Sequence, residues 1–114
     1  DNNMANAFKN KGLAATGTAL TDAYTAGSGV TATVIGLTCA NISSTNPILV
    51  SIKFYDASAN ANYFVVKDAQ IYTGGALVAV GGDQKLVLEA GDKIKVISNT
   101  AASVDTIVSV MEQS

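Results

Sequence analysis

Few side chains in this sequence have chemical reach. Asp83, Glu89 and Asp92 fall within ten residues of one another, close enough in sequence to gather around calcium. A calcium loop presents oxygen ligands at tight alternating spacing, which this segment lacks. Asp in a turn more often bonds its own backbone, so these acids read as turn residues. The single cysteine, Cys39, lies in a β-branched run with no base near it in sequence. Thiol reactivity needs a lowered pKa and access, so Cys39 reads as a small buried hydrophobe. The sequence has no histidine, hence no Ser-His-acid or Cys-His arrangement and no imidazole for zinc. Gly74-Gly75 and Gly81-Gly82 open no helical pattern, so they read as hairpin tips rather than phosphate cradles. No catalytic, metal-binding or cofactor-binding residue is expected, and the chain does not read as an enzyme.

Composition narrows the classes further. Positive charge is seven lysines without arginine, against nine acids, for a net charge of −2. That balance gives no electrostatic case for nucleic acid or an anionic membrane. No apolar run approaches a membrane span, and no secretion signal is visible. With 114 residues and 48% hydrophobic content, one compact domain with a real core is expected. Met4 reads as a natural start, with Asp1-Asn2-Asn3 as a remnant.

The elements that would hold these side chains are strands. Lys85 to Ser98 is the clearest local signal, two strand-like runs about Ala90-Gly91-Asp92. A hairpin with a three-residue loop sets Glu89 against Lys93, Leu88 against Ile94 and Leu86 against Val96. An arch carrying the chain from one sheet of a sandwich to the other fits equally. Ile48 to Asp56 alternates, with Ile48, Val50, Ile52 and Phe54 inward and Leu49, Ser51, Lys53 and Tyr55 outward. Val30 to Asn41 reads as a central strand, with Ile35, Leu37 and Cys39 on one face and Ala32 and Val34 on the other. Further strands are expected over Thr18–Thr25, Tyr63–Lys67, Gln70–Thr73, Ala76–Val80 and Ser103–Met111, the last with Val104, Val108 and Val110 on one face. About eight strands at 8–12 residue spacing, without a credible helix, predict an all-β antiparallel sandwich or barrel.

Met4 to Lys11 shows no period-2 pattern. Residues 1–12 are therefore expected to form a short N-terminal arm outside a domain spanning 13–114, either frayed or laid on a neighbouring subunit with Phe8 as anchor. The expected contact residues are Met4, Asn6, Phe8 and Lys9.

Three pieces of sequence carry a resemblance: Met4-Ala5-Asn6-Ala7-Phe8-Lys9-Asn10, Thr33-Val34-Ile35-Gly36-Leu37 with Asn41, and Val80-Gly81-Gly82-Asp83-Gln84-Lys85 through Leu88-Glu89-Ala90-Gly91-Asp92 to Val104-Asp105 and Ser109-Val110. Together they resemble small virion structural proteins of tailed phages, especially phages of marine cyanobacteria. The resemblance implies a jelly-roll-like sandwich, which favours the arch at Gly91-Asp92. It also implies a capsid-surface decoration or cement protein, assembled in the host cytoplasm. Its expected partners are the major capsid protein and further copies of this chain, as a homo-oligomer taken to be a trimer. The alternative is a neck, tail or fibre module, including one binding a host-surface glycan. Aromatic content of 6% without tryptophan disfavours a sugar platform, for which only Tyr55, Tyr63 and Tyr72 are candidates.

Overall fold

A computed structural model describes residues 6–114. Nine strands follow one another: β1 (Asn6–Thr16), β2 (Thr21–Thr25), β3 (Thr31–Asn41), β4 (Ile48–Asp56), β5 (Ala61–Ile71), β6 (Ala76–Val80), β7 (Leu86–Leu88), β8 (Lys93–Ser98) and β9 (Val104–Gln113). They make two antiparallel sheets. The front sheet runs β1-β9-β3-β6, with β7 also paired to β3, and the back sheet runs β2-β8-β4-β5. The chain alternates between sheets as a jelly roll does. β6 and β7 take successive stretches of the same β3 edge, pairing with Leu37–Ala40 and Ala32–Val34 respectively, so together they act as one strand broken at Gly81–Lys85. The all-β jelly-roll sandwich is thus the observed architecture.

Lys85–Ser98 is an arch, not a hairpin. β7 belongs to the front sheet and β8 to the back. Leu88, Ile94 and Val96 are fully buried between the sheets and Leu86 packs against them. Asp92 fixes the corner: its Oδ2 accepts from Glu89 N at 2.9 Å and its Oδ1 from Ala57 N at 2.9 Å. That second bond ties the arch to the β4–β5 turn. Gly91 has φ +88° and a Cβ there would meet Ala57 Cβ at 3.1 Å, so glycine is needed on both counts.

The core draws the expected faces of β4 and β9, with Ile48, Val50, Ile52, Val104, Val108 and Val110 at most 1% exposed. Phe54 points inward but is half-buried, stacked at 6.3 Å on Tyr63. On β3 the expected parity is corrected. A register shift between Val34 and Gly36 inserts Ile35 as an extra residue, so Ala32 and Val34 before it and Leu37 and Cys39 after it all face the core. The two short pieces expected around Tyr63 and Gln70 are one strand, β5, whose ladder with β4 absorbs shifts around Ile52. Asp68 lies within it at φ 50°, its N donating to Ser51 Oγ at 2.9 Å. Asn41, buried, donates to Asn46 O and Ile71 O at 2.9 and 3.0 Å and accepts from Ser43 N at 2.8 Å, fastening the β3–β4 loop to the end of β5.

The arm is corrected too. Asn6–Gly12, expected outside the domain, is the first part of β1 and pairs residue by residue with β9 from Asn6↔Gln113 to Gly12↔Ile107. The backbone ladder makes this strand, because among its eleven residues only Thr16 is buried. Met4 lies outside the described residues.

Candidate interaction surfaces

Two faces of the sandwich carry what chemistry the chain has, and the front face is apolar. Ladder register places Phe8, Met111, Thr33 and Val87 in one row across β1, β9, β3 and β7. It places Ile107, Thr38 and Val78 in a second row across β9, β3 and β6. Phe8, Val78, Val87 and Ile107 are exposed at 75%, 66%, 60% and 55%. Between the rows Ser109 Oγ donates to Asn10 Oδ1 at 2.7 Å, beside Gly36. At the usual strand and residue spacings the two rows span roughly 350 Å². That area falls within the roughly 300–600 Å² of the largest apolar patch on a typical monomer, a patch that is often functional.

Of the expected contact residues, Phe8 lies on this face. Asn6 is exposed at the β1 end, opposite Gln113. Lys9 takes the opposite side of the ladder, where its Nζ bridges Glu112 Oε1 at 2.9 Å. Tyr24, on β2 of the other sheet, donates its hydroxyl to Glu112 Oε2. Burial, then the hydrogen bond to the carboxylate, pushes the Tyr24 hydroxyl well above its ordinary value. The Tyr24 hydroxyl and then Lys9 hold the Glu112 carboxyl below its own. The cluster is a clasp between the two sheets at the mouth of the sandwich.

The back face is basic and aromatic. Asp22, Lys95, Lys53 and Phe64 share a row across β2, β8, β4 and β5. Lys53 and Lys67 lie over the Phe64 ring at 4.8 and 5.7 Å, and Lys95 over Tyr55 at 5.0 Å. Asp22 serves both Lys93 and Lys95, at 2.9 and 3.6 Å, and the Lys93 hydrogen bond chiefly holds its carboxyl low. The tyrosines considered as a sugar platform do not converge. Tyr63 is opposite Phe54 near one end of β4, whereas Tyr72 follows Ile71, which is opposite Ile48 at the other end. Tyr55 spends its hydroxyl on Asn60 Oδ1 at 2.7 Å.

The remaining candidates fall into structural roles. Cys39 Sγ is fully buried, 3.5 Å from Thr106 Oγ1, and burial pushes the thiol up. Among the described residues no group of three or more His, Cys, Asp or Glu side chains converges as a metal site. A cleft of 400 Å³ at the β6–β7 break, floored by Val65, Val80 and Leu86, has only Asp83 and Lys85 as charged neighbours. Lys85 Nζ is turned to Gly82 O at 3.0 Å.

No protein-family model matches the chain, and no curated protein is significantly similar to it. Among solved structures, a chain from Bacillus endospore appendages, described as forming a novel family of disulfide-linked pili, superposes with a TM-score of 0.55 at 14% identity. The match covers 96% of this chain and 86% of that one, so the two share their fold along nearly their whole lengths.

Proposed function

We propose that this chain is a phage virion structural protein acting at the capsid surface as a decoration or cement protein, by burying its front face against capsid subunits and copies of itself. The single observation carrying this reading is the apolar front face, where β1, the broken strand β6–β7 and β9 present Phe8, Val78, Val87 and Ile107 together. About 350 Å² is less than half of the roughly 800 Å² per partner of a standard stable interface. One face alone therefore binds weakly, and firm attachment comes from several copies acting together. The sequence resemblance to virion proteins supports the location. The fold shared with a pilus chain supports the coarser element, a jelly roll serving as a building block. Disulfide linkage does not carry over, because the one cysteine here is buried.

Quantitative densitometry of purified virions tests the proposal. A copy number near that of the capsid subunit is expected, and a handful of copies per particle overturns it. A second reading, a tail or fibre module holding an acidic glycan, rests on the Lys53–Phe64–Lys67 cluster. It predicts few copies per particle and binding to host cells that Lys53→Glu abolishes.

A further inference from the structure

We infer that β1 is an exchangeable strand, by which one copy of this chain pairs Asn6–Leu13 with β9 of a second copy in place of its own. The inference deepens the self-association in the proposed function without depending on where in a particle the protein sits.

β1 is joined to its sheet almost entirely through its ladder. Apart from Thr16 it buries no residue, and Leu13 alone of the rest packs against the core. Register places Lys9 opposite Val110 and Lys11 opposite Val108, so the side of β1 that would face the core carries charges at the sandwich mouth. Leaving its own β9 therefore sacrifices main-chain bonds, the Lys9–Glu112 pair and the Ser109–Asn10 bond, and the identical β9 of a second copy restores all three. Exchange of identical elements is a low-cost route to oligomers for this reason. Strain at the pivot and local concentration then set the balance.

The pivot is strained. Ala15, a non-glycine residue, sits at φ 52°, in the ladder's register shift between Leu13 and Thr16. The adjacent Thr16 Oγ1 is buried without a hydrogen-bond partner. From Thr16 onward the chain is fixed, because Thr16 O and Gly17 O accept from Ser103 N and Ser98 N at 3.0 and 2.9 Å. Gly17 is held there by close approach: a Cβ would lie 3.1 Å from Ala102 N. Before the pivot, Ala15 N donates to Asp105 Oδ1 at 2.7 Å, a single exposed latch. An extended Ala15 relieves the left-handed strain and swings Asn6–Leu13 away as one piece.

Mixing two variants, each with one new cysteine in a Cys39→Ala background, tests this. Asn10 and Ser109 are direct ladder partners with touching side chains. An Asn10→Cys chain and a Ser109→Cys chain are therefore held within disulfide reach when β1 of the first lies on β9 of the second, and joining by collision or face-to-face contact is read from a front-face control pair. The two are mixed at high concentration, held in sub-denaturing urea to loosen the β1 ladder, returned to native buffer and oxidised. A disulfide-linked heterodimer is expected, well above the level given by Asn10→Cys mixed with Val78→Cys. Adding Ala15→Val to the β1 donor raises its yield several-fold, and adding Ala15→Gly lowers it. Background-level heterodimer, with the one-chain double variant Asn10→Cys/Ser109→Cys closing internally, overturns the inference. So does native mass spectrometry showing only monomer for the unmodified protein after the same treatment. Either negative result leaves the virion copy number, and hence the proposed function, to stand or fall separately.

Discussion

Asp92 does the work of a corner bracket although it was considered first as a ligand. Its carboxylate accepts two backbone N–H groups from different loops while 4% exposed. Hydrogen bonds to a charged group contribute more than neutral ones, and buried donors left without an acceptor are penalised. Asp92→Ala is expected to destabilise by about 2–4 kcal/mol, read as a lower urea midpoint with unchanged slope. Phe54→Ala, at a half-buried site, is expected to fall toward the lower end of the roughly 3–5 kcal/mol of a full core phenylalanine. At Glu112 the folded carboxyl lies below its ordinary value. Its contribution to stability is therefore complete above the unfolded value of about 4.3 and is lost as pH falls through the folded one. The urea midpoint should drop on acidification through that window. Glu112→Gln should flatten the drop, leaving the share of Asp22, whose carboxyl is lowered on the back sheet. Cys39 should stay unreactive toward an aromatic disulfide reagent until the fold opens. Labelling at the rate of free thiol in native buffer would contradict its burial.

At the scale of elements, legibility followed burial. β4 and β9 could be read from alternation because one face of each is dry; the apolar runs flanking Gly91-Asp92 fit a hairpin and an arch alike, and the resemblance favoured the arch. β1 could not, because Asn, Lys and Ala in an edge strand exposed on both faces leave no periodic trace; its partner on β9 was not visible locally. Bulges hid the rest. Ile35 shifts parity midway along β3, and the shifts between β4 and β5 broke one strand into two apparent pieces. Ala15 makes a prediction at this scale too. Ala15→Gly should stabilise the monomer by about 1 kcal/mol by relieving the left-handed conformation, despite the entropy glycine adds to the unfolded chain.

For the whole molecule, the two faces differ in chemistry, apolar in front and basic behind. The front face could not be read from sequence, since Phe8, Val78, Val87 and Ile107 are each unremarkable alone and only the strand order brings them together. The basic back face was equally scattered, and Phe64, its centre, carried no signal in the five-residue piece Tyr63–Lys67 expected in place of the eleven-residue β5. Ile107→Asp should leave thermal stability within about 0.5 kcal/mol, as surface changes generally do. The same change should weaken attachment to capsids at least tenfold, measured by co-sedimentation with particles lacking the protein. Loss of the cooperative thermal transition instead would make Ile107 part of the fold's own support.

The pairing of β1 with β9 also sets a timetable. Asn10 and Ser109 are bonded across 99 residues of chain, so β1 is made long before the strand it pairs with. At about 5–20 residues per second, β1 waits roughly 5–20 s on the ribosome before β9 has been synthesised. Such long-range pairings are also the slow ones to close. Throughout that interval the nascent strand lacks the β9 of its own chain. On the inferred exchange, a complete copy nearby is then the first β9 that the waiting strand meets.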